Sequence, residues 1–333
     1  MKKVYVVILN WNGFNDTIEC LETVFRSTGI NYSVILCDND STDGSIQKIK
    51  TWADGTHKYE NSNRNFSHLY EPELNKPISY IEYSKYQIDI GKISTKCHET
   101  KLIIISNGLN YGFAKGNNVG IKYALLCNDF DYIWLLNNDT VVTETALSAL
   151  VDRMDMVEKS GLCGSAIRYY DRPDKIQVLA GARFNHIIGT SKYISDTSYT
   201  PKQVEENISY ISAASMLISK RFLLDIGLLN ENYFLYFEEI DLAMRNNEYR
   251  LLYAPNSIIY HKEGASIGSS KNLKIKSALS DYYSYKSRIC FYKTYYSHRL
   301  VTIYIMALIY IIHRLWYRRT DNALSIIKAC FGK

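Results

Sequence analysis

Val4-Tyr5-Val6-Val7-Ile8-Leu9 runs straight into Asn10-Trp11-Asn12-Gly13, and the chain soon repeats the arrangement: Ser33–Cys37 is apolar, then Asp38-Asn39-Asp40-Ser41-Thr42-Asp43-Gly44-Ser45 follows. A continuous, β-branched apolar run too short for a helix reads as a strand buried on both faces. Each run ends in a polar loop at its carboxyl end. Between them, Ile18, Leu21, Val24 and Phe25 fall at helical spacing within Asp16–Arg26. Ser45–Trp52 predicts a second helix, with Asp43 or Ser45 as its cap. A β-α-β-α opening of this kind predicts a doubly wound, mostly parallel α/β sheet, a type that binds ligands at the carboxyl ends of its strands.

Outward from there the pattern lapses. Residues 53–100 are polar, rich in Asn, Tyr and Lys, with one candidate strand at Ile78–Tyr83. They read as an insertion, either a solvated loop or a flap over the cleft. The sheet pattern resumes with a strand at Leu102–Ser106, a helix at Gly116–Leu126, a strand at Tyr132–Leu136 and a helix from Thr143 to about Glu158. Ser209–Ile218 reads as one further strand, followed by a helix entered at Ser219. Leu251–Ala254 and Ile258–Tyr260 read as two short strands on either side of Pro255.

With 333 residues, 47% of them hydrophobic and 22% charged, the chain suits one α/β domain with an appendage, and disorder is excluded. Its 29 tyrosines follow a general richness in Ile, Asn and Lys. Seven cysteines, an odd number without a C-x-x-C pair, point to a reducing compartment. The apolar run behind Lys2-Lys3 is six residues long, too short for a secretory signal. The net charge of +5 is unevenly spread: from Lys271 onward twelve Lys/Arg face only Asp281 and Asp321. Such a basic tail suits an anionic surface. Leu300–Ile312 holds no charge and is flanked by His298-Arg299 and His313-Arg314, with Trp316 beyond. That is shorter than the roughly 20 residues of a spanning helix and predicts an amphipathic surface anchor. A helix packed on the main domain is the alternative. No nucleic-acid-binding motif accompanies the charge.

Four segments carry candidate chemistry, each where a strand ends. Asp38 stands where a carboxylate could accept a hydrogen bond from a nucleotide base, although Asn/Asp/Ser/Gly loops also form plain Asx turns. Around Gly112, Gly116 and Gly120 the spacing is not the dinucleotide fingerprint, which argues against a nicotinamide-dependent dehydrogenase; Lys115 could face a diphosphate. In Asn137-Asn138-Asp139 a carboxylate just past a strand suits a hard divalent cation, or a helix cap. In Tyr233–Leu242 the acids Glu238, Glu239 and Asp241 crowd together, followed by Arg245; crowded carboxylates raise one another's pKa, and one can then act as a base. His261 could complete a metal site, though a single histidine is more often structural.

Taken in order, VVILNWNG (6–13), CDNDSTDGS (37–45), NYGFAKGNNVGI (110–121), YIWLLNNDTVV (132–142), NENYFLYFEEIDLAMR (230–245) and YAPNSIIYH (253–261) resemble glycosyltransferase family 2, especially its rhamnosyltransferase-like branch. The resemblance covers residues 4 to about 265 and leaves out 53–100 and everything after 270. It implies a GT-A domain over 1–265, a C-terminal helical, basic, membrane-associating region over 266–333, and an inverting, metal-dependent transfer. Asp38, Asn10 and Asn12 would hold the nucleotide; Asn110, Gly112, Lys115 and Asn118 would lie along the donor cleft. Asp139, with His261, would hold Mg²⁺ or Mn²⁺, and Asn137 replaces the Asp that many members carry, with one charge fewer. Glu239 would be the base, a Glu where the family often has Asp, with Glu238 and Asp241 positioning it or the acceptor. The implied donor is a UDP- or dTDP-sugar such as dTDP-rhamnose, and the implied acceptor a glycan or lipid-linked glycan of a surface polysaccharide. The expected location is cytoplasmic, peripheral to the inner face of the plasma membrane, with a homo-oligomer possible and no nucleic acid bound. A non-catalytic nucleotide-sugar-binding scaffold and a sugar-phosphate nucleotidyltransferase are the competing readings; Asn10–Gly13 lacks the arginine expected of the latter.

Overall fold

A computed structural model describes residues 2–57, 59, 63–94, 100–262 and 277–332. The opening is β1 (Lys3–Asn10), α1 (Phe14–Val24), β2 (Asn31–Asp38) and α2 (Ser45–Ala53). Along β1, Val4, Val6 and Ile8 enter one core while Tyr5 and Val7 enter the other, so the strand is covered on both faces as its unbroken apolar run requires. The residue that caps α2 is Gly44, in the left-handed region; Asp43 Oδ1 instead accepts from the Ser45 N–H at 3.0 Å.

The next elements are β3 (Tyr80–Ser84), α3 (Lys85–Asp89), β4 (Leu102–Ser106), α4 (Gly112–Cys127), β5 (Tyr132–Asn137), β6 (Thr140–Val142) and α5 (Ala146–Asp155). The expected insertion is therefore partly core: β3 pairs in parallel with β4 at the edge of the main sheet. Then come β7 (Ser160–Tyr169), β8 (Ile176–Leu179), β9 (Gly181–Asn185), β10 (Thr190–Tyr193) and α6 (Pro201–Asn207), which the sequence pattern did not announce. The run 209–218 divides into β11 (Tyr210–Ile211) and β12 (Ser215–Ser219), and α7 (Lys220–Ile226) follows. After α8 (Glu238–Arg245), the two short strands expected around Pro255 are one strand, β13 (Arg250–His261), with an irregularity between Ala254 and Ile258 that absorbs the proline. Three helices close the chain: α9 (Ala278–Tyr295), α10 (Leu300–Trp316) and α11 (Thr320–Phe331).

The main sheet runs β3-β4-β2-β1-β5-β12-β7-β13-β6, with β8 beside β7. It is parallel from β3 through β5, then mixed; β10-β9-β11 form a separate small sheet. Asn10, Asp38, Ser106 and Asn137 thus end four neighbouring parallel strands at one edge. Helix α4 presses on the strands beneath through its glycines. A Cβ at Gly120 would lie 2.8 Å from Val7 Cγ1, 3.0 Å from Cys37 Sγ and 3.2 Å from Ile35 Cγ2. Gly120→Ala must push α4 off the sheet, and is expected to cost about 1–3 kcal/mol in thermal or urea unfolding; unchanged stability would contradict this packing.

The six described cysteines are free. Burial pushes the thiols of Cys20 and Cys37 up to about 12, so both behave as core residues. Cys97 and the expected domain boundary at 265/266 lie outside the described residues.

Candidate active site

The nucleotide end is built from the loops after β1 and β2. Asn10 and Asp38 are register partners at the ends of these strands, and both are buried. Asp38 Oδ1 accepts from Asn10 Nδ2 at 2.6 Å and Ser41 Oγ at 2.7 Å, and its Oδ2 accepts from the Ser41 N–H at 2.9 Å. Asn10 Oδ1 in turn accepts from Thr17 Oγ1 at 2.7 Å. Asn12, at φ +50°, accepts from the Thr42 N–H at 2.7 Å and ties the two loops together. The carboxylate thus bonds back to its own loop, three residues on, in place of the Asx turn that the sequence allowed. Three of its roughly four lone-pair sites are used, and Oδ2 keeps acceptor capacity.

On the far side of β2, Asn39 Nδ2 donates to the Gly112 carbonyl at 3.0 Å and to Asn110 Oδ1 at 3.3 Å. Gly112 has φ +74°, and a Cβ there would collide with the Phe234 carbonyl and lie 2.7 Å from its ring. Glycine is required because the acidic segment crosses directly over it, with the Phe113 N–H donating to Phe234 O at 2.7 Å. Lys115 lies with Nζ 4.4 Å from the centre of the Tyr111 ring, partly exposed. Asn118, expected along the cleft, is instead fully buried: its Nδ2 donates to Leu229 O at 2.8 Å and its Oδ1 accepts from the Leu229 N–H at 3.2 Å. It holds the segment after α7 against α4.

Asp139 and His261 meet, with Oδ1 and Nε2 3.2 Å apart. His261 Nδ1 faces Gln177 Oε1 at 3.0 Å, a contact that suits a proton on Nδ1 and orients the ring. Asn137 Nδ2 lies 3.4 Å from the same Nε2. Burial alone would raise the Asp139 carboxyl, but the charge and hydrogen bond of His261, with Lys262 behind, hold it below the ordinary carboxylate value. Lys262 itself pairs with Asp16 and Glu19, and Glu19 Oε1 accepts from Tyr70 at 2.9 Å and Tyr170 at 2.7 Å. Among the described residues no group of three or more His, Cys, Asp or Glu could hold a metal. A cation held by Asp139 and His261 would draw its remaining oxygens from a diphosphate and water, a division usual for Mg²⁺. The oxygen–nitrogen donor pair, with the ring oriented by Gln177, fits such an ion.

The acidic segment approaches from the opposite side. Tyr236 and Phe237 both have positive φ, +67° and +73°, a conformation that costs bulky residues about 1–3 kcal/mol each and clusters at functional sites. This turn starts α8 at Glu238. Glu238 is buried and its Oε2 has no hydrogen-bond partner; burial, then the charge of Glu239, pushes its carboxyl well above the usual range. Glu239 is partly exposed, accepts from the Ala213 N–H at 3.4 Å, and is likewise raised, chiefly by burial. Asp241 is different. It is fully buried and accepts from Arg245 Nε at 2.8 Å, Tyr295 OH at 2.9 Å, Asn230 Nδ2 at 3.1 Å and Tyr233 OH at 3.3 Å. It joins α8 to α9 rather than facing a substrate. The metal-type pair and the Glu pair meet across one short segment: Ala213 donates to Glu239, while Ala214 O accepts from the Asn137 N–H at 3.2 Å.

Gln177, Ala213, Asn39 and Ser41 were not singled out in the sequence. Ser41 and Asn39 stand inside the polar loop that was; Gln177 and Ala213 lie in stretches without a readable pattern.

Residues 90–227 match the model of the family described as glycosyl transferase family 2. Over 149 residues the chain is 24% identical to the low-salt glycan biosynthesis hexosyltransferase Agl10 of Haloferax volcanii, covering 45% of this chain; it spans about half, 47%, of that relative's length. Among solved structures, the mannosyltransferase PcManGT from Pyrobaculum calidifontis, in complex with GDP-Man and Mn²⁺, superposes with a TM-score of 0.51 at 11% identity, over 98% of this chain and 86% of that one. GalNAc-T7 with UDP, GalNAc and Mn²⁺ gives 0.50 at 14% identity, over 78% of this chain and 44% of that one. At such identities these two likenesses speak for the fold, which is the GT-A arrangement with a C-terminal helical tail.

Proposed function

From the match of residues 90–227 to glycosyltransferase family 2, and from a GT-A sheet whose edge carries Asp38 and, just past β5, Asp139, with Glu239 held at Ala213, we propose an inverting sugar transfer from a UDP- or dTDP-sugar to a glycan hydroxyl. The observation that supports it most is the segment 213–214, which links the Asp139–His261 pair to Glu239. The nucleotide would lie against Asn10, Asn12 and Asp38, and its diphosphate toward Lys115. Bound Mg²⁺ or Mn²⁺, held by Asp139 and His261, would offset the charge gathering on the departing diphosphate. Glu239 takes the proton of the acceptor hydroxyl as its oxygen bonds to the anomeric carbon; the bond to the nucleoside diphosphate breaks on the opposite face. Glu238, buried and raised well above the ordinary carboxylate range, stays protonated beside it, and Asp241 holds the helix that presents it. The donor sugar we favour is rhamnose, and the product a surface polysaccharide.

Turnover tests this. UDP- and dTDP-sugars are incubated with Mn²⁺ and a glycan or lipid-linked glycan acceptor, and release of nucleoside diphosphate is followed. Release with inversion supports the reading. Binding without release across the panel would instead favour the scaffold.

The C-terminal region would hold the enzyme at the inner face of the plasma membrane. Ser297–Trp316 is long and apolar enough, with a mean hydropathy of 1.4, to cross a bilayer by length and composition. Its packing favours lying on the surface. Ile303 and Ala307 are buried, and Arg314 forms a two-pronged pair with Asp281 of α9, Nε to Oδ2 at 2.8 Å and Nη2 to Oδ1 at 3.0 Å. The other face exposes Val301, Ile305, Leu308, Ile309, Ile312 and Trp316 in one stripe. Ile305→Asp with Ile309→Asp is expected to release the protein from anionic vesicles in a sedimentation assay; retention at the wild-type level would remove α10 as the anchor.

A further inference from the structure

The small sheet β10-β9-β11 lays Tyr193, Ala182 and Tyr210 in one cross-strand row, because Tyr193 and Tyr210 both pair with Ala182 in antiparallel register. Direct partners stand on the same face of a sheet, and so does the pair two residues along, Ser191 with Phe184. That face is turned to the acidic segment. Ala182 and Tyr210 share a core with Phe237 and Ile240, and Phe184 meets the Phe237 ring edge-on at 6.0 Å. The intervening pair, Arg183 with Lys192, stands on the opposite face.

Burial falls away along the row. Ala182 and Tyr210 are buried, whereas Tyr193, on the edge strand β10, is 50% exposed and Ser191 is exposed. Tyr210 is where the row meets the proposed base. Burial, then the charge of Glu239 and the Tyr193 hydroxyl, raise the Tyr210 hydroxyl, and a hydrogen bond with Ser191 opposes them. Glu239 itself accepts from the Ala213 N–H, two residues past the end of β11. A half-open aromatic ring thus stands one tyrosine away from Glu239, on the same side of the sheet.

An aromatic surface beside a few well-placed hydroxyls is the usual lining of a small-molecule site. A tyrosine ring can cover the C–H face of a pyranose while a nearby hydroxyl orients it. Charge narrows the ligand further. The five residues of this face include no cation, and the Glu239 carboxyl lies at its inner end. An anionic sugar would meet repulsion there and find no partner for its carboxylate on this face.

We propose that Tyr193 and Ser191 form the acceptor subsite: an uncharged pyranose stacks on the Tyr193 ring, Ser191 bonds one of its hydroxyls, and the hydroxyl to be glycosylated extends past Tyr210 to Glu239. This rests on the transferase reading, in which Glu239 receives that hydroxyl's proton.

The full chain is mixed in turn with the methyl glycosides of glucose, galactose, mannose, rhamnose and N-acetylglucosamine, and with methyl glucuronide. Saturation transfer from protein to sugar is read by NMR. At least one neutral glycoside should receive saturation, and methyl glucuronide none. Tyr193→Ala is expected to weaken that affinity by about three- to tenfold, and Tyr193→Phe to keep it. Tyr193 is half exposed, so both variants should melt as the wild type does. Equal affinity in wild type and Tyr193→Ala, or no saturation of any glycoside by the wild type, would overturn the subsite. Methyl glucuronide bound as well as the neutral sugars would overturn its selectivity. The Mn²⁺-dependent rise in melting temperature with a nucleotide sugar is read in the same samples. Its absence beside intact, Tyr193-dependent glycoside binding would sink the transferase reading and leave the sugar surface standing.

Discussion

Glu239→Gln is expected to lower transfer by about 10²- to 10⁴-fold, the range over which a positioned general base acts, while donor affinity stays the same. Of the two acids that begin α8, Glu239 is the one with an exposed edge; Glu238 is buried. The amide keeps the shape and the hydrogen bond from Ala213 and removes only the proton acceptor. The pH profile adds an independent reading. Both carboxyls are raised, so the base form of Glu239 is lost as pH falls through a value above the ordinary carboxylate range. The acid limb of kcat/KM should therefore lie higher than that of an isolated Glu. Glu238 is raised further, stays protonated while Glu239 ionises and lends it no negative charge, so Glu238→Gln should leave that limb in place. Full turnover by Glu239→Gln would take Glu239 out of the base role.

Asp139→Asn should reduce turnover comparably, by about two to four orders of magnitude, because in the proposed transfer several kcal/mol of charge stabilisation on a leaving diphosphate would pass through this carboxylate. The substitution keeps the volume and leaves His261 in place against Gln177. Its signature is loss of the Mn²⁺-dependent part of donor affinity, with metal-independent nucleotide binding retained. Asn137 already offers an amide where a second carboxylate could stand, so this site has little negative charge to spare. A variant with wild-type metal dependence would place the cation elsewhere.

Much of this was legible because the first half of the chain obeys simple rules. A parallel strand covered on both faces needs a continuous apolar run, and β1, β2, β4 and β5 supply one, ending in the polar residues that gather at the sheet edge. The second half obeys them less. β7 begins Ser160-Gly161 and β9 holds Arg183 and Asn185, while β11 is two residues long; their pairing is set by neighbours distant in sequence. Gln177 reaches His261 only because β8 folds back on β7. Motifs do not report orientation. Asn118 and Asp241 stand inside the right segments and turn into the protein. The tail, expected as a surface anchor with packing on the main domain as the alternative, is tied to the body of the chain: Tyr283 of α9 stacks on Phe234 at 4.3 Å and Ser287 Oγ donates to Leu235 O at 2.7 Å.

The most direct measurement is the melting temperature of the full chain against a panel of UDP- and dTDP-sugars, with and without Mn²⁺, beside Asp139→Asn. The account predicts a rise with one donor class that needs Mn²⁺ in the wild-type protein and is absent from the variant. A folded wild-type sample that shows no metal-dependent rise with any member of the panel would contradict it.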